Sequence, residues 1–108
     1  MGRKATAVLL EVIAVSKKKR HHLRVSISKP YGTQKGDWAC WFDLRGIEEA
    51  EEHREYFGVD GLQALILSLF YLRSVLRHLR KKGYVFRELH SDEKIDPESY
   101  FEVFEKSA

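Results

Sequence analysis

Residues 6–16 are almost uninterruptedly apolar, with Val8, Leu10, Val12 and Ala14 on one face of an extended chain and Leu9, Ile13 and Val15 on the other. Such a run predicts a strand that is central in its sheet or buried on both sides. Lys17, Lys18, Lys19, Arg20 and His21 follow and read as a polar turn. Over 22–29 the alternation is clean, Leu23, Val25 and Ile27 against Arg24, Ser26 and Ser28, which predicts a second strand with one face in the core, ended by Pro30. After a loop marked by Gly32 and Gly36, residues 37–45 alternate again, with Trp38, Cys40, Phe42 and Leu44 on one side. Short loops between three consecutive strands predict an antiparallel meander. The acidic stretch 48–57 reads as a linker or a short helix.

Asp60 followed by Gln63 has the form of a capping box, in which the carboxylate accepts from amides of the first turn and the glutamine reaches back to the amide of the cap itself. Leu62, Leu65, Ile66, Leu69, Leu72, Leu76 and Leu79 then recur at helical spacing, Lys81 and Lys82 complement the negative end of the dipole, and Gly83 supplies the stop. Residues 84–89 are the candidate for a fourth strand. Asp96 before Pro97 predicts a capped C-terminal helix carrying Tyr100, Phe101 and Phe104. The expected fold is α+β: a three- or four-stranded antiparallel meander packed on one long amphipathic helix, plus a short C-terminal helix. Ala64, Leu67, Tyr71 and Val75 fall on the side of the long helix opposite the leucine stripe, which makes Leu67, Tyr71 and Val75 a candidate partner surface. Either the C-terminal helix or the same stripe of a second copy across a twofold axis is expected to cover it.

A chain of 108 residues, 44% hydrophobic and 32% charged with two prolines, is the size and composition of one globular domain. Its core is expected over 5–83, with 84–108 as an extension and 1–4 and 106–108 flexible; no internal repeat or low-complexity segment interrupts it. The net charge of +3 conceals alternation: nine Lys/Arg against Glu11 alone in 1–36, two against seven acids in 37–58, five against one in 59–83, and three against seven in 84–108. Adjacent elements can neutralise one another, which argues against a uniformly basic nucleic-acid surface. Glu11 and the lack of a small-residue cleavage site argue against a signal peptide, and the start of the chain fits the myristoylation pattern only loosely. The longest apolar stretch, 64–72, is far short of the ~20 residues a membrane span needs.

Cys40 is the only cysteine, so neither an internal disulfide nor a cysteine-based zinc site is available, and a reducing cytoplasm fits best. His21, His22, His53, His78 and His90 lack metal-ligand spacing. No nucleophile elbow, HExxH pair, P-loop or dinucleotide fingerprint is present. Neither an enzymatic activity nor a cofactor is therefore expected. Lys17, Lys18, Lys19 and Arg20 with Arg73 and Arg77 form a candidate phosphate-binding patch. A solvated hairpin tip and an ordinary helix C-terminus explain the same charges.

At Gly36-Asp37-Trp38-Ala39-Cys40 and at Phe57-Gly58-Val59-Asp60-Gly61-Leu62-Gln63-Ala64-Leu65 the chain resembles a family of short bacterial proteins, a domain of unknown function. Its members look like three strands followed by a helix opening with G-V-D-x-L-Q-A-L. The resemblance spans roughly residues 6–82 and implies the fold and a bacterial origin, but no activity. The expected function is a small non-enzymatic protein-interaction module, self-association being one form of it. A weak nucleic-acid binder using the basic turn and an immunity or antitoxin-like protein are the alternatives.

Overall fold

A computed structural model of the chain describes residues 6–102. Its strands are β1 (Thr6–Ser16), β2 (Lys19–Ser28), β3 (Tyr31–Gly32), β4 (Trp38–Arg45), β5 (Glu52–Gly58), β6 (Val85–Glu88) and β7 (Lys94–Ile95), and its long helix is α1 (Gly61–Lys81). All seven strands join one antiparallel sheet, more than the three or four expected. β5 pairs with β4 along its length, and on the other edge of β4 lie β2 and, past the Pro30 break, β3. β1 follows β2, then β6 and β7.

The extra strands have identifiable origins. The acidic stretch read as a linker makes one turn of 3-10 helix, Glu48–Ala50, and then becomes β5. Its charged residues suit an edge strand, where Glu, His and Arg discourage further pairing. β3 continues β2 once Pro30, which cannot donate to a ladder, has interrupted it. The basic turn is shorter than expected: Lys17 (φ 51°) and Lys18 (φ 67°) form a two-residue loop and Lys19 already pairs with Ser16. Both positive φ values are those of a type I′ hairpin, whose twist matches the flanking strands.

β1 is interior in strand order, but among the described residues only one of its faces meets the helix. Val12 and Ala14 are buried, whereas Val8 and Leu9 are exposed. A bulge between Val8 and Leu10 shifts the register, so Val8 leaves the face it would otherwise share with Leu10 and Val12. On the helix-facing side, Val12, Leu23, Val25, Phe42 and Leu44 meet Leu72, Val75, Leu76 and Leu79, with Ile47 and Phe86 closing the far end. Each such side chain contributes roughly 1.5–3 kcal/mol on burial. Gly46 (φ 113°) is required where the chain leaves β4: a Cβ there would sit 1.9 Å from the His22 carbonyl oxygen.

The ends of α1 follow from its sequence. The Asp60 carboxylate accepts from the Gln63 amide at 2.8 Å, and Gln63 Oε1 accepts from the Val59 amide at 2.7 Å, one residue before the cap amide expected. At the other end Gly83 (φ 102°) lets its own amide reach the Arg80 carbonyl and that of Tyr84 reach Leu79, both at 3.0 Å, a Schellman stop. The C-terminal segment is a short 3-10 helix, Pro97–Phe101, and the Asp96 side chain does not cap it. Phe104 lies outside the described residues. Asp60→Ala should lower stability by about 1 kcal/mol, the cost of a lost cap. Chemical denaturation reads this as a drop in midpoint, and an unchanged midpoint would refute the cap's contribution.

Candidate interaction surface

Which side of α1 meets the sheet is decided by its small residues. Ala64 and Ser68 are fully buried, Ser68 donating to the Ala64 carbonyl at 3.0 Å and bonding the Cys40 thiol. Gly58 makes the approach possible, since a Cβ on it would lie 2.5 Å from the Ala64 amide nitrogen. From Ala64 and Ser68 the buried side continues through Leu72, Val75, Leu76 and Leu79. At about 100° per residue, this turns Leu62, Ile66 and Phe70 outward as neighbours one turn apart.

The expected helix orientation is thus corrected. Val75 belongs to the core, and Tyr71 packs in an aromatic triad with Phe42 and Tyr56, ring centroids 5.3–5.8 Å apart. Of the candidate partner residues only Leu67 is exposed, while Leu62 and Ile66, assigned to the core stripe by their size, are exposed as well. The sequence signal that marks the buried side is the series Ala64, Ser68, Leu72, Val75, Leu79, which keeps helical period but begins with small residues. The C-terminal 3-10 helix does not cover this face of α1. It is tied to the other half of the helix by Glu98, which accepts from Arg77 and Arg80 at 2.8 Å each, while Phe101 packs against the core and Tyr100 is exposed. The outer face of α1 therefore changes character along its length, apolar from Leu62 to Phe70 and cationic beyond, with Arg77, Arg80 and Lys81.

The sequence-derived basic patch is divided. Lys17 and Lys19 come beside Lys82, His21, Glu49 and Tyr84 around a cleft of about 420 Å³. Arg73 and Arg77 lie on the helix, Arg77 engaged by Glu98, and Arg20 is engaged by Asp92 at 2.9 Å. Glu49 accepts from Lys82 at 3.2 Å and from Tyr84, and the Lys82 bond first, with the ammonium charge, holds its carboxyl below the usual range.

Among the described residues the sheet's other face carries no helix and is laced by polar pairs. Asp43, nearly buried, bonds His53 and Arg45, and the Asp43 carboxylate is the chief reason the His53 pKa is raised. Tyr31 donates to Glu55 beside a cleft of about 700 Å³ that Thr33, Asp37 and Phe57 also line. Burial first, then the Glu55 carboxylate, pushes the Tyr31 hydroxyl well above the usual range. Among the described residues, no cluster of three or more His, Cys, Asp or Glu could hold a metal ion, and no helix is long and apolar enough to cross a membrane.

Together these features define a small α+β domain in which one helix lies across one face of an antiparallel sheet and presents an outer face that is apolar, then cationic. The chain belongs to the family described as a domain of unknown function, DUF6968, whose model matches residues 11–91. No curated protein and no solved structure matches the chain. The matched span begins within β1, takes in all of α1 and ends beyond β6, so the exposed apolar face lies inside the family unit.

Cys40 is fully buried, and that burial pushes its thiol pKa up, the bond to Ser68 only partly opposing it. A thiol-specific reagent should therefore label the native protein only as fast as the structure opens, and at once in denaturant. Rapid stoichiometric labelling without denaturant would overturn this placement.

Proposed function

We propose that this domain is a non-enzymatic protein-interaction module of the bacterial cytoplasm, and that it docks a protein through Leu62, Ile66, Leu67 and Phe70. The observation that carries this reading is the contiguous apolar surface on the outer side of a helix whose inner side already completes the core. Soluble monomers seldom leave such patches open, and helix faces with anchors at i, i+4 and i+8 are a recurrent means of docking. A non-enzymatic role is supported by the placement of the reactive groups: the one thiol is buried, and His22 and His53 are engaged by Glu11 and Asp43.

Affinity capture with the full chain tests this. Wild type should retain a protein, its own copy included, that the Ile66→Glu variant retains at least about tenfold less, because a carboxylate buried against apolar anchors loses its hydration. Equal retention by both chains would sink the assignment of the face.

The meeting of Lys17 and Lys19 with Lys82 at one end of the molecule favours a second reading, a polyanion site. Glu49 within the same cleft and the acidic partners of Arg20 and Arg77 weaken it. The wild type is expected to bind mixed-sequence RNA or DNA no better than micromolar at physiological salt. Sub-micromolar binding that falls on replacing Lys17, Lys18 and Lys19 with serine, with a flatter salt dependence, would reverse the order of the two readings.

A further inference from the structure

We propose that the occupant of the outer face of α1 is a second copy of this chain, the two helices crossing antiparallel about a twofold axis at Ile66. This rests on the reading of that face as a docking surface and names its partner.

Three observations carry it. The first is area: Val59, Leu62, Ile66, Leu67 and Phe70 are 77%, 66%, 37%, 40% and 58% exposed. Their exposed parts amount to roughly 500 Å² per protomer, so two copies reach the ~1,000 Å² that a specific interface needs, before polar neighbours are counted.

The second is self-complementarity. An isologous interface places each residue against the one equally far on the other side of the axis. With Ile66 on the axis, Leu62 of one copy meets Phe70 of the other twice over, and the segment from Leu62 to Phe70, about two helical turns long, is matched end to end.

The third is charge. A parallel pair would stack the Arg73, Arg77 and Arg80 of both copies, whereas the antiparallel pair sends them to opposite ends. At ~1.5 Å of rise per residue, Arg73 lies about 10 Å from the axis, so the antiparallel pair holds the two copies' Arg73 residues about 20 Å apart along the helices. The chain's own C-terminal residues are the rival occupant. Val103 and Phe104 are the large apolar groups they would offer to that face.

Sedimentation equilibrium of the full chain should give twice the 12.7 kDa chain mass at micromolar concentration. Ile66→Glu, which sets two carboxylates face to face on the axis, should weaken the dimer at least about 100-fold while the diluted protein keeps its helical circular dichroism. Leu62→Asp serves should that variant misfold. A Leu62→Cys chain mixed with a Phe70→Cys chain should form a mixed disulfide dimer faster than either forms a dimer alone; preferential cross-linking of Leu62→Cys with itself would overturn the antiparallel arrangement. A dimer indifferent to Ile66→Glu and Leu62→Asp would place the interface elsewhere and overturn the proposal. So would a monomer at all concentrations, and two further results then apportion the failure. If Phe104→Asp converts that monomer to a dimer, the chain's own end is the cover. If wild type, but not Ile66→Glu, captures a different protein, the docking face stands and only its occupant was misassigned.

Discussion

The architecture depends on one close contact, the seam at which Ala64 and Ser68 of α1 settle onto Gly58 and Cys40 of the sheet. No Cβ fits at Gly58 without displacing the backbone of Ala64, so the first two turns of the helix lie as near the sheet as main chains allow. Large side chains have no room directly over the seam, so Leu65 packs at its side and Leu62, Ile66 and Phe70 face outward. Farther along, Leu72, Val75, Leu76 and Leu79 fill the wider space over β1, β2 and β4. The helix is thus anchored by small residues at one end and by large ones at the other. The same geometry that builds the core exposes Leu62, Ile66 and Phe70.

The charge pattern along the chain becomes a set of connections between segments of opposite sign. Arg20 from the basic N-terminal segment meets Asp92 from the acidic C-terminal one. Lys82 at the end of the helix meets Glu49 beside β5, while Arg77 and Arg80 grip Glu98. Exposed pairs of this kind are screened by solvent and add little to stability. Their effect is positional. Glu98 fastens the 3-10 helix to the cationic half of α1, away from the apolar half.

The residues made the helix legible because every local signal agreed: a capping box at Asp60, seven leucine-type positions at helical spacing, and a glycine stop. The strands 6–16 and 37–45 were legible from alternation, and the buried row Cys40, Phe42 and Leu44 lies where alternation places it. β5 was obscured because an edge strand carries charges, and its composition resembles a loop more than a central strand. The rotation of α1 was obscured for a different reason. Ranking positions by size assigns leucines to the core, but the side that packs is selected by what can approach the sheet, which is a property of Gly58 and Ala64 together. That pairing spans the turn between β5 and α1 and leaves no mark on the hydrophobic periodicity of the helix alone.

The identity of the outward residues is not something the isolated fold requires. At solvent-exposed helix positions glutamate, lysine and glutamine are as good or better helix formers than isoleucine and phenylalanine, so Ile66 and Phe70 give α1 no advantage in propensity over charged residues. They contribute nothing to the core either, whose inner face is complete without them. The contrast within one helix is instructive. Two turns later the same outer side carries Arg77 and Arg80, the composition a solvated face ordinarily has, and those residues hold an intramolecular partner. An apolar segment bounded at one end by the helix cap and at the other by engaged arginines has defined limits, which indiscriminate hydrophobicity would lack. Leu62, Ile66 and Phe70 mark the ends and the centre of about two turns of helix, and nothing in the core formed by the described residues requires them to be apolar.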